Sequence, residues 1–410
     1  MGRSTTNVAS VPDYVPEELV WDHCLNDFTS ELDDPFVAAG RLHEGPGIIW
    51  ATEASLGKPG WVFTQHDLIR DAFQDYEHFS SARDATTSDV LGSIMRMIPV
   101  EVDPPEHHHY RRILNPFFTP MHVRTYADMV QKTCDGLIDK FFDAGTCEFI
   151  SEFAEVFPNS IFLSLMGMPQ DQLPQFLEWE RQLLRSGDQS DYEASNQAAR
   201  HIFQYLHGFI GEQRGYPDRT EFINALLEGT IEGRPLDEME VLGTCFLFYV
   251  AGLDTVYSTL GWMMRHLASD QDLQDRLRNN LEDIPRAVDE LTRAYAVAAP
   301  HRRVTENFEF HGVNLRKGDT VLLPIYMAAR DPRTYEDPHT IDIDRGARSI
   351  TFGTGPHTCL GVHLAKRELK TVLESFLTRF RSIRMPEDGA YEYHTGGVLG
   401  VDKLTLILEI

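Results

Sequence analysis

The segment FGTGPHTCLG places Cys359 in a loop punctuated by glycine, with Phe352 and Gly355 before the sulfur and Gly361 after it. Glycines let a backbone turn tightly, so amides can approach a sulfur and a flat ligand can approach the chain. Phe352 is placed to pack over such a site. A helix opening just after Cys359 aims its positive end at the sulfur and favours the thiolate, the form that binds metal. A lone cysteine in a reducing compartment is more often an inert buried side chain. Here the surroundings change that weighting, because the pattern FxxGxxxCxG arises by chance only about once in a thousand chains of this length at average residue usage. Zinc is a poor alternative, since the chain has no CxxC pair to complete a site.

A second candidate lies upstream at Ala251-Gly252-Leu253-Asp254-Thr255, in the most apolar part of the chain. A carboxylate and a hydroxyl are costly there unless they serve something. Gly252 removes a side chain in mid-helix and Thr255 can divert a backbone carbonyl, which together would open a local groove. Dioxygen would fit such a groove, with Asp254 and ordered water passing protons as a general acid. Taken alone, an Asp-Thr pair that satisfies backbone groups at a helix kink is an equally good account.

These residues need elements to hold them. Apolar spacing predicts helices over Thr119–Phe142, Phe153–Leu165 and Asp191–Gln213, and a long one over Asp237–His266 that opens on Asp237, Glu238 and Glu240. The run Cys245–Leu253 is followed at once by Asp254 and is far short of the ~20 residues of a membrane span, so it reads as buried core. GIIWAT near Gly47 and WVFTQ from Trp61 read as paired strands. A hairpin is expected where Val313 and Leu315 face Val321–Leu323 across Lys317-Gly318-Asp319, and a small strand pair around Val398 and LTLILEI. The fold class is mainly α with a minor β portion, without internal repeats.

Together the cysteine loop and the AGLDT string resemble the two signature motifs of the cytochrome P-450 family. The resemblance implies that family's fold, a triangular helix-rich prism with heme b between a long central helix and the cysteine loop. It implies one domain over residues 1–410, with the first 15 as a flexible tail. Cys359 would bind the heme iron, Asp254 and Thr255 would deliver protons for O–O cleavage, and Phe352 and Gly361 would contact the heme. The propionates would fall to His107, Arg111, Arg302 and His357. Glu290 and Arg293 in ELTR would form the family's buried ion pair, and Thr340 stands where many relatives supply an arginine to complete it.

Longer strings narrow the resemblance to the bacterial camphor 5-monooxygenase group: VPEELV, LIRDAFQDYEHFSS, IPVEVDPPEH, FEFHGVNLRKGD and TFGTGPHTCLGVHLAKRE. That group implies hydroxylation of a compact terpenoid such as camphor, cineole or ionone. Met95 stands where camphor hydroxylases carry a tyrosine that hydrogen-bonds the substrate ketone, which points away from camphor itself. The pocket would be lined by Met95, Leu247, Val250, Thr255, Ala298 and Val398.

The electron donor implied is a [2Fe-2S] ferredoxin reduced by an NADH-dependent flavoprotein. It would dock nearest Cys359 against Arg70, Arg111, Arg348 and Lys366. A formal charge of -26 argues against nucleic acid as partner. Five scattered cysteines and a polar N-terminus predict a cytoplasmic chain off the membrane, and a monomer is expected. A peroxide-driven relative would share the cysteine loop but usually lacks the acid-alcohol pair, and a heme sensor would need no proton relay.

Overall fold

The computed structural model describes residues 11–32, 34–55, 58–82, 96–184, 192–346 and 348–410. The chain forms two compact units. One is drawn from the residues up to Thr86, Asp289–Thr358 and His394–Leu399, the other from Thr87–Val288, Cys359–Tyr393 and Gly400–Ile410.

The first unit holds a six-stranded sheet in the order Val20–Cys24, Ile48–Ser55, Lys58–Phe63, Thr320–Leu322, His301–Val304, Phe79–Ser80. Ile48 to Ala51 and Trp61 to Phe63 are buried, so these strands are held by apolar burial on both faces. The expected pairing of the two tryptophan-bearing strands is found, antiparallel, with Trp50 opposite Trp61. The expected hairpin is not. Phe308–Phe310 pairs with Val313–Leu315 across His311 and Gly312, both at positive φ (47° and 83°), the backbone of a two-residue hairpin turn. Thr320–Leu322 leaves through Gly318 and joins the large sheet, parallel to Lys58–Phe63 and antiparallel to His301–Val304. Two left-handed residues in succession outrank the Lys-Gly-Asp signal, because they match the twist of the strands they join. The expected strand pair at this end of the chain is found as Tyr391–His394 beside Gly400–Glu409, and Val398, in the link between them, bridges Ala298.

The same unit resolves the ion pair around ELTR. Arg293, 1% exposed, donates to both oxygens of Glu290 at 2.8 Å and to the carbonyls of Ala329 and Pro338. Thr340 contributes only its carbonyl, which accepts from Arg293 at 3.3 Å. The second cation is Arg345, whose Nε donates to Glu290 Oε1 at 3.1 Å, beside a 3.0 Å bond from the Asp342 amide. The arginine missing at position 340 is supplied five residues later.

The second unit is built on helices. Glu238–Ser269 is the longest at 32 residues and starts from a capping box, in which Asp237 accepts from the Glu240 amide and Glu240 from the Asp237 amide. By length and composition it is apolar enough to cross a membrane, but about half of its most apolar stretch (53%) is buried in the protein. It packs on Val156–Met166, Tyr192–Gln213 and the strand Gly400–Glu409, which makes it a core helix. The expected helix over Thr119–Phe142 is broken into Pro120–Val123, a 3-10 turn and Ala127–Ile138. Phe153–Leu165 is found as Val156–Met166 after a π-turn, closed by Gly167 at φ 71°. Gly400–Glu409 pairs with Thr146–Glu148 and Ser382–Arg384 and has Tyr391–His394 as its third neighbour in the sheet.

Candidate active site

In the second unit, Cys359 lies two residues before Gly361, the N-cap of the helix Val362–Arg379. The Gly361 amide donates to the Cys359 sulfur, and a Cβ built on Gly361 would sit 4.0 Å from that sulfur, in ordinary contact. Burial pushes the thiol pKa up and outweighs the opposing pull of the Gly361 amide and of the nearby Arg111. An ordinary inert cysteine behaves like Cys245, fully enclosed and pushed up to about 12. Cys359 differs in being the one exposed cysteine of the five, although protein surrounds it densely enough to desolvate it. These two facts agree if the sulfur faces a hollow rather than bulk water. A thiolate there is favoured by one aligned amide and one cation, and a bound metal ion would supply the remaining charge.

The central turns of the long helix share this property. Ala251 and Gly252 are exposed and Asp254 and Thr255 half-buried, although they lie in mid-helix between buried residues on both sides. A Cβ on Gly252 would meet nothing within 4 Å. The helix runs through this stretch without a break. Thr255 donates its hydroxyl to the Ala251 carbonyl at 3.2 Å, and Thr259 donates to the Thr255 carbonyl at 2.7 Å. Thr255 thus adds a side-chain bond to the Ala251 carbonyl within a continuous helix, and the expected opening of the helix by a diverted carbonyl is not seen. Ser258, fully buried one turn on, donates to Asp254 at 3.4 Å. Its signal in the sequence was only the four-residue spacing from Asp254.

His107 and Arg111 stand on the helix Glu106–Leu114 of the same unit. Burial first, then Arg111, lowers the His107 pKa to about 4, so the ring is neutral at physiological pH. Arg111 is half-buried, with Nε donating to Asn115 at 3.0 Å; burial lowers its pKa while Cys359 opposes. Leu247 and Val250 are half-buried on the long helix. Met95 lies outside the described residues.

The first unit carries the other expected residues. Arg302 is 6% exposed, with its guanidinium 5.3 Å over the Phe73 ring and a 2.6 Å bond to the His301 carbonyl. Phe352 and His357 are half-buried in the loop that leads to the cysteine. That loop is fixed by Gly355, at φ 73°, where a Cβ would lie 2.5 Å from the Phe73 carbonyl oxygen, so only glycine fits. The Thr358 amide and hydroxyl both donate to the Gly355 carbonyl, closing the turn just before the sulfur. Arg70, expected as an open positive charge, is instead held by Asp67 at 2.6 Å and Asp71 at 2.7 Å. Spacing in the sequence shows both aspartates, but the charge they remove is visible only in the fold.

A flat ligand with a metal at its centre fits what the second unit offers: an exposed sulfur with an aligned amide, a helix whose middle is open at Gly252, and the half-buried cation Arg111. The family model described as Cytochrome P450 matches residues 33–403. Probable cytochrome P450 127A1 of Sinorhizobium fredii is 35% identical over 98% of this chain and 98% of its own. The solved structures of CYP101J2 and CYP101C1 each superpose with a TM-score of 0.88 at 30% identity, over 98% of this chain and 100% of theirs.

Proposed function

The chain belongs to the cytochrome P450 family, and from that premise we propose that it hydroxylates a compact, mainly hydrocarbon substrate of the terpenoid kind, such as cineole, ionone or camphor. It is a heme-thiolate monooxygenase that binds heme b. The observation that carries the reading is the exposed, desolvated Cys359 bonded by the Gly361 amide. Its test is the reduced carbon monoxide difference spectrum of the purified protein: a band at about 450 nm marks axial thiolate, and one at about 420 nm in fresh folded protein overturns it.

When bound, the heme would supply the iron at which dioxygen is activated, and an axial thiolate from the protein would promote O–O cleavage. In the proposed site Cys359 would provide that ligand, with its sulfur held by the Gly361 amide; Phe352 and Gly361 would contact the macrocycle, and His107, Arg111, Arg302 and His357 would take the propionate edge. Hydroxylation consumes two electrons and two protons for each dioxygen, releasing one water with the alcohol. The protons fall to the chain. Asp254, oriented by Ser258, relays them from water, and the Thr255 hydroxyl turns from the Ala251 carbonyl to donate into the open middle of the helix. In this reading Leu247, Val250, Ala298 and Val398 would bound the substrate with apolar surface and exclude water.

Thr255→Ala is expected to leave NADH consumption within about threefold of the parent while product per NADH falls roughly tenfold, the difference appearing as hydrogen peroxide. Assay of peroxide and product in one reaction checks this, and unchanged coupling removes Thr255 from the relay.

Electrons come in this reading from a separate [2Fe-2S] ferredoxin, reduced by an NADH-dependent flavoprotein, in a cytoplasmic monomer. With Arg70 neutralised by its aspartates, the supporting charge lies elsewhere. Arg112 and Arg124 are exposed on either side of Met121, itself 77% exposed, and the short helix Pro120–Val123 packs on the helix that begins beside the cysteine. Exposed cationic side chains on this part of the chain suit an acidic donor on a protein of charge -26.

A further inference from the structure

We infer that Gly243 is a specificity-determining position, which sets how closely the segment 96–102 overhangs the substrate-facing stripe of the long helix. Gly243 lies in the interior of that helix and is buried. Helix propensity alone favours alanine there. The reason for glycine is steric. A Cβ at 243 would lie 2.1 Å from the Arg96 carbonyl oxygen and 3.4 Å from the Arg96 carbonyl carbon, and the Ile98 amide donates back to the Gly243 carbonyl at 3.4 Å. The obstruction is backbone on both sides, so no rotamer change relieves it.

The overhanging segment is itself stiff. The Arg96 Nε donates to the Glu101 carbonyl at 2.9 Å, the Met97 amide to the Glu101 carboxylate at 2.8 Å, and the Glu101 amide to the Met97 carbonyl at 2.8 Å. Behind it Ile98 and Val102 pack with Tyr110 and Ile231 in one buried cluster. The Tyr110 hydroxyl reaches Glu240, one turn before Gly243, at 2.7 Å. A side chain at 243 therefore displaces the segment as a body. It does not deform it locally.

Leu247, Val250 and Asp254 follow Gly243 at helical spacings that bring them to the same face within about 40°. The height of the segment above Gly243 is thus the clearance over the stripe that ends at the proton relay. Raising it favours bulky ligands over small ones. This rests on the proposed assignment of Leu247 and Val250 to the substrate side, but not on the terpenoid substrate class.

The test uses heme-loaded protein and three nitrogen ligands that bind heme iron whatever the natural substrate: imidazole, 4-phenylimidazole and clotrimazole, followed by their optical shifts. In Gly243→Ala the affinity for clotrimazole relative to imidazole is expected to rise about tenfold, with amide hydrogen exchange at Met97 and Ile98 accelerated and the reduced carbon monoxide band unmoved. A general loss of stability would weaken all three ligands alike. A ratio unchanged within about twofold, or lowered, overturns the inference. Should Gly243→Ala fail to accumulate as folded protein, Glu101→Ala frees the same segment without touching the helix, and the same rise or its absence decides. If camphor, cineole and ionone leave the spectrum of the parent protein unchanged, the terpenoid reading falls while the imidazole ratio still reports on Gly243.

Discussion

Cys359→Ala is expected to abolish the band at about 450 nm and to lower hydroxylation by about a thousandfold or more, while the polypeptide keeps its fold. The reasoning starts from what the side chain touches. Its sulfur accepts one amide bond, from Gly361, and is otherwise exposed, so truncation removes little packing. The loop does not depend on the sulfur, because Gly355 lies against the Phe73 backbone and Thr358 closes back on Gly355. Chemistry is another matter. Without an axial thiolate the iron loses the electron donation that promotes O–O cleavage. Circular dichroism separates the two effects. Retention of the band in folded Cys359→Ala would move the axial ligand to another residue, and Cys134, Cys147 and Cys245 are buried with their thiol pKa raised by burial.

The largest effect on stability is expected at Glu290. This carboxylate, 6% exposed, accepts from Arg293, from Arg345 and from the Asp342 amide. Glu290→Ala strands a guanidinium that is 1% exposed and removes the acceptor of a second, and breaking a buried pair in this way costs about 3–5 kcal/mol. A fall in urea midpoint at constant slope checks it. Glu290→Gln should recover part of the loss, because the amide oxygen still accepts. Burial alone would raise the Glu290 pKa, but the bonds from Arg293, Asp342 and Arg345 outweigh it and hold the carboxyl below its ordinary range. A depressed folded pKa gives stability that is complete above the unfolded value and is lost as pH falls through the folded one. The parent should therefore lose stability in acid below about pH 4.5, and Glu290→Gln should lack that component of the slope. Equal acid sensitivity in both would show that Glu290 is not held as a carboxylate.

Arg345 also shows how the lock tolerates a change of sequence. A guanidinium arriving from five residues past Thr340 still donates to the same oxygen, because the carbonyls of Glu336, Asp337 and Thr340 cradle it. Arg345→Lys is a poor substitute, since one ammonium cannot reproduce that fork.

The sequence by itself determined the chemistry and the helices that carry it. A sulfur between glycines, an acid and an alcohol in an apolar helix, and capping residues ahead of that helix are local signals. They depend on backbone torsion, spacing and desolvation within a few turns, and the capping box at Asp237, the helix after Gly361 and the strands of Trp50 and Trp61 follow from them. What only the tertiary structure decided are matters of which distant group arrives. The strand Thr320–Leu322 takes its neighbours from Trp61 and Arg302 rather than from the adjacent hairpin, Val398 finds Ala298, and Arg345 fills the place of an absent arginine. Arg70 looks like a free cation until two aspartates close on it, and Gly243 looks like a weak point in a helix until the Arg96 carbonyl lies against it. The physical reason is common to all of these. A hydrogen bond, an ion pair or a steric contact depends on distance in space, which chain order constrains only over a turn or two.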